Sequence, residues 1–275
     1  MSATATTASA RNRPLPVLRR TLADSWRSTI AWAVGLAAAI SLYLPLYPSI
    51  GGEEMAALIS SMPEEMMNTF GFDQIATGAG YTQSTFFGLI GFVLLTIAGS
   101  SWGASAIAGA EESGRLELTL AHGVSRTQYA LESALAILVR LVVLVGLALV
   151  LASVLNDPSE LGLEPANIVA VSAALLGLIL LISTVALAVG ALTGRRSAAV
   201  GAGAGVAVVG YVLNAIGNQS ADLEWLHRFS PYDWAYANTP LADGADWGGL
   251  GLLAAGILLA VVVATVALRR RDVTG

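Results

Sequence analysis

Carboxylates, arginines and leucines crowd into one polar segment of this chain, Glu111-Glu112-Ser113-Gly114-Arg115-Leu116-Glu117-Leu118-Thr119-Leu120-Ala121-His122-Gly123-Val124-Ser125-Arg126, between two long apolar stretches. The chemistry these residue types support is docking rather than bond making. Glu111 and Glu112 at the start of a short helix favour its dipole. Leu116 and Leu120, four apart, offer one apolar face, and Arg115, Glu117 and Arg126 surround it with charge. An apolar patch ringed by charges suits a groove on a partner protein; a loop resting on lipid is the other reading.

Other chemistries are excluded by what the chain lacks. All 14 of its basic residues are arginine, so it holds no P-loop, whose lysine must reach nucleotide phosphates. With no cysteine there is no disulfide, thiolate metal site or sulfur nucleophile. His122 and His227 fall on opposite sides of the predicted membrane and no His-Glu-x-x-His helix exists, so neither a metal site nor a metalloprotease is expected. No nucleophile, base and metal constellation emerges. The chain is expected to bind no cofactor and not to be an enzyme; any ATP and Mg²⁺ would sit on a separate ATPase.

The elements that position the polar segment are membrane helices. The 275 residues are 55% hydrophobic and 12% charged, with mean hydropathy +0.70, far from a soluble composition. A span needs about 20 apolar residues, and stretches 30–47, 84–107, 134–155, 168–192, 197–216 and 248–268 qualify. The fold class is therefore all-α integral membrane, with six transmembrane helices in a single domain over 1–275: a flexible, uncleaved tail (1–14), an interfacial helix (15–28) and the bundle (30–268). Arg11, Arg13, Arg19, Arg20, Arg27, Arg115, Arg126, Arg195, Arg196 and Arg269 to Arg271 lie on one side and only Arg228 on the other, which places both termini and the polar segment in the cytoplasm. Most acids fall in the outer loops, so the net charge of −5 says nothing about nucleic acid, and none is expected as a partner. Arginine without lysine, in an Ala-, Gly- and Val-rich chain, points to a bacterial plasma membrane.

Finer signals sit on this frame. Leu18, Leu22 and Trp26 recur every four residues with charges on other faces, the pattern of an interfacial amphipathic helix; a first span extended into the cytoplasm is the alternative. Met55, Leu58, Ile59, Met62, Met66 and Phe70 form an apolar stripe on the first outer loop, whose methionines offer either lipid contact or soft ligands for Cu(I). Arg140 is the only arginine within a span, and snorkelling to the inner boundary is favoured over a pathway role. Gly201-x-x-x-Gly205 allows close helix approach. Asn214 could bond between helices or meet a polar substrate. Trp225, Phe229, Pro231, Tyr232, Trp234, Tyr236 and Trp247 read as an interfacial aromatic belt.

The polar segment resembles the Glu-Glu-x-x-Gly-Thr-Leu-Glu-Leu-Leu-Leu…Val-Ser-Arg cytoplasmic loop of permease subunits of type-2 ABC exporters. Phe229-Ser230-Pro231-Tyr232-Asp233-Trp234, Pro240-Leu241-Ala242-Asp243-Gly244 and the terminal Arg269-Arg270-Arg271-Asp272-Val273 are similar to that family as well. Gly123 stands where a proline is common, and a lysine often found after the Val-Ser-Arg is missing. The resemblance implies a cytoplasmic coupling helix between spans 2 and 3, gripped by an ATPase subunit. It further implies a second permease copy meeting the first near spans 1 and 5, which Gly201 and Gly205 fit, and efflux of a hydrophobic or amphiphilic compound, drug or antibiotic export leading. Copper-enzyme maturation and sodium efflux are alternatives within the class; a passive channel or membrane scaffold is the alternative outside it.

Overall fold

The computed structural model describes residues 14–50 and 77–271, and every regular element among them is helical. Six helices are long and apolar enough to cross a membrane. They begin with α1, Pro16–Tyr43, whose helical course continues to Ser49. The others are α2 (Gly78–Ala106), α5 (Arg126–Asn156), α6 (Pro165–Thr193), α7 (Arg196–Gly217) and α9 (Trp247–Arg270). The short helices α3 (Ala108–Glu112) and α4 (Arg115–Ala121) join α2 to α5. Between α7 and α9, a 3-10 stretch (Ala221–Phe229), α8 (Pro231–Tyr236) and a π-turn (Thr239–Asp243) cover the opposite end. The methionine-bearing stretch 55–70 and the extreme tails lie outside the described residues.

The separate interfacial helix expected over 15–28 is not a separate element. α1 runs unbroken from Pro16, because no proline or glycine falls between Val17 and Val34 to break it. At 1.5 Å per residue its 28 residues reach about 42 Å, so its first turns extend the span beyond an apolar layer of about 30 Å.

Helix α6 is the centre of the bundle, with 67% of its most apolar window buried, against 17% in α1 and in α9. It packs on α2, α5, α7 and α9. Lipid tails are as apolar as leucine, so close packing rather than the hydrophobic effect must hold such helices together. Gly99 and Gly103 of α2 supply it: a Cβ on Gly99 would overlap Ser183 Oγ of α6, and one on Gly103 would overlap the Ser183 carbonyl oxygen. Large side chains, among them Phe86, Phe87, Leu95, Leu141 and Leu144, are buried in the core of the bundle.

At the end opposite α4, α2 carries a π-helical stretch, Gln83–Ile90. Its wider turn shifts the backbone bonding register, and two tyrosines from the α8 segment bond to carbonyls there. Tyr232 donates to Gly88 O and Tyr236 to Phe87 O, each at 2.9 Å, while Gln83 Oε1 accepts from Leu241 N at 2.9 Å. The aromatic belt thus divides: Trp225, Phe229 and Trp247 are exposed, whereas Tyr236 is buried and Tyr232 stacks edge-on against Phe92 and Tyr211.

Candidate functional site

Three structural joints converge where α2 gives way to α3 and α4. Glu112 of α3 accepts a 2.8 Å hydrogen bond from Arg196 N, the first residue of α7. No side chain of α7 itself caps that end, so a carboxylate from another helix satisfies an orphan donor and faces the positive end of the dipole. Glu111 pairs with Arg271, just past the end of α9. Arg126, the first residue of α5, donates from Nη1 to the carbonyl oxygens of Leu268 and Arg271, where the α9 helix has run out of intrahelical donors. Gly194, at φ 66°, ends α6 beside the Arg271 guanidinium. The α3 hinge is therefore tied to the ends of α5, α6, α7 and α9.

A fourth joint was not foreseen from the sequence. Glu132, 3% exposed on α5, accepts from Val17 N at 2.7 Å and Leu18 N at 2.9 Å, and from Gln128 Nε2 at 2.7 Å. It caps the start of α1 in place of a local residue, since Leu15 at the cap position has no side chain that could do so. The signal available in the sequence was an acid on the apolar stripe of a span; its partners on α1 lie 115 and 114 residues away.

The polar segment forms α3 and α4, broken by Gly114 at φ 68° and closed by Gly123 at φ 87°. Its leucines are arranged differently from the expected face. Leu116 is fully buried against the chain's own core and Leu120 is half-buried against it, so neither presents an outward surface. The physical reason is that a seven-residue helix with leucines at 116, 118 and 120 cannot turn all of them one way, and the bundle takes the pair spaced by one turn. Leu118, 64% exposed, is left pointing outward, and Arg115, Glu117 and His122 near it are exposed as well.

Arg140 is buried among the helices. It lies on the buried stripe of α5 with Ile137, Leu141 and Leu144, its Nε donates to Thr29 Oγ1 of α1 at 3.0 Å, and its guanidinium stacks 3.5 Å from the ring centroid of Trp102 of α2. It stands in a cleft of about 1120 Å³ between α1, α2, α4 and α5. Asn214 is half-buried near the other end of α7 and is not part of this cleft. Gly201 and Gly205 face away from the bundle with no heavy atom within 4 Å of an added Cβ, whereas Gly203 between them packs on Ser100. Among the described residues, no group of three or more His, Asp or Glu side chains converges as for a metal ion.

In a comparison against known families, residues 15–273 match the model of ABC-2 family transporter proteins. The chain belongs to the ABC-2 transporter family. No curated protein matches it. As an ABC-2 permease it is a multi-pass membrane protein and the translocating component of an ABC transporter.

Proposed function

We propose that this permease is driven by a separate ATPase subunit docking on α3 and α4 from the cytoplasm, and that it exports a hydrophobic or amphiphilic compound, of the drug or antibiotic kind, across a bacterial plasma membrane. The observation that carries the reading is the double character of the hinge. Its inner face is joined through Glu112 to the start of α7 and through Glu111 to Arg271 past the end of α9, which Arg126 of α5 also holds, while Leu116 is buried in the core. Its outer face, Leu118 with Arg115 and Glu117, is exposed. A force applied to the outer face is delivered to several spans together. Positive residues gathered at this end favour the cytoplasmic orientation, and the absence of lysine leaves ATP binding to a partner.

The pathway is proposed to form between two copies, with Gly201 and Gly205 of α7 at their contact. Small residues let helix backbones approach closely in lipid, and the space beside both is open. The test is co-purification of the permease with a lysine-containing P-loop ATPase followed by measurement of hydrolysis against a panel of compounds. A stable complex whose hydrolysis responds to an amphiphile supports the reading; a permease that binds no ATPase defeats it and leaves the passive channel.

A further inference from the structure

We infer that the cleft around Arg140 is a binding site for an anionic amphiphile, with the acidic headgroup on the Arg140 guanidinium. Arg140 is 7% exposed, yet no acid among the described residues pairs with it. Its Nε is satisfied by Thr29 and its π-face by Trp102. Among the described residues the terminal nitrogens have no acceptor, and the side chain lines the cleft. A charge held this deep within a span calls for a counter-ion. The nearest acid on the same helix, Glu132, is already bonded to Val17, Leu18 and Gln128.

The walls specify the rest of the ligand. Ser28 of α1, Ser101 and Ser105 of α2 and Ser133 of α5 are among the residues that line the cleft with Arg140. Arg20 and Arg115 also line the cleft, and Asp24, paired with Arg20 at 3.6 Å, is the only acid among the described residues that does. Trp32, Ala136 and Ile137 give the same cleft an apolar side. A phosphate or carboxylate would follow the hydroxyls and cations, while its hydrocarbon chain stays on the apolar side. This deepens the export reading by naming the class of cargo and rests on it for the role as cargo. The binding itself is read on the permease alone, so a failure to recruit an ATPase would sink export and leave the site intact.

The experiment titrates full-length permease, purified in a neutral detergent, with dodecyl phosphate, dodecylphosphocholine and inorganic phosphate by calorimetry. The expected result is saturable binding of dodecyl phosphate, at least about tenfold tighter than either of the others, the scale of one charge-assisted contact. Arg140→Gln should lose about that factor and Arg140→Lys should keep most of the affinity. Equal affinity for the two amphiphiles in the unaltered protein overturns the inference without recourse to any variant. Inorganic phosphate binding as tightly as dodecyl phosphate overturns the amphiphile, and unchanged binding by folded Arg140→Gln overturns the site. Should Arg140→Gln not fold, the exposed Arg20→Gln and Arg115→Gln substitutions decide, each expected to weaken dodecyl phosphate by a few-fold through lost attraction at the mouth.

Discussion

Replacing Glu132 by alanine should loosen the start of α1 more than any substitution on the surface of the bundle. The carboxylate accepts from Val17 N and Leu18 N, and alanine leaves both donors without an acceptor. An orphaned buried donor costs about 1–3 kcal/mol, so the pair amounts to about 2–6 kcal/mol, with Leu18, only partly buried, at the lower end. Glutamine keeps one acceptor oxygen and loses the charge facing the helix dipole, a term of up to about 2 kcal/mol in a partly buried site. The order of stability should therefore be Glu, then Gln, then Ala. Detergent-solubilised protein titrated with denaturing detergent gives that order, and amide exchange at Val17 and Leu18 localises the effect. An alanine variant within about 0.5 kcal/mol of the parent, the range of ordinary surface changes, with unaltered exchange at these amides, would refute the cap.

Gly103→Ala should destabilise the bundle by about 1–3 kcal/mol through overpacking against the Ser183 carbonyl, whereas Gly201→Leu should leave thermal stability unchanged and weaken self-association, measured by crosslinking. In the cysteine-free chain, Ser125→Cys should react only from the cytoplasmic side and Asp157→Cys only from outside; Ser159, 1% exposed, is unsuited as a reporter. Labelling of both from one side would overturn the topology. Burial pushes the Asp233 carboxyl above its ordinary value of 3.8, the nearby His227 acting the other way. The folded state thus holds the proton more tightly than the unfolded chain. The resulting stability is fully present below the unfolded value and is lost as pH rises through the folded one. Asp233→Asn should flatten this fall in melting temperature on raising the pH from about 4.

The six spans were legible because lipid demands long apolar runs, and the helices differ from those runs mainly by extending past them. Over 15–28 and 126–133 no breaker stops the helix, so its end cannot be read from hydropathy. Orientation of helix faces was harder. Gly99-x-x-x-Gly103 and Gly201-x-x-x-Gly205 are the same signal in sequence, yet the first packs inside the chain and the second faces out. Leu116 and Leu118 pose the same problem on α4, where periodicity separates two faces without saying which one the bundle covers. The burial of Arg140 was legible, since it falls in step with Ile137, Leu141 and Leu144. Glu132 was not, because a backbone donor far along the chain leaves no mark on the residues beside its acceptor.

The central claim is that α3 and α4 receive the ATPase on the Leu118 face while their inner side grips the spans. Leu118→Glu places a charge where an apolar contact is proposed, and a buried unpaired charge costs several kcal/mol, enough to disrupt docking. Because Leu118 is 64% exposed, the variant should insert and melt like the parent, unlike a charge at Leu116, which would disturb the chain's own core. The decisive measurement is the amount of ATPase retained by purified Leu118→Glu permease, together with its amphiphile-stimulated hydrolysis. The account predicts a folded permease that has lost both; full retention of the ATPase with normal stimulated hydrolysis would contradict it.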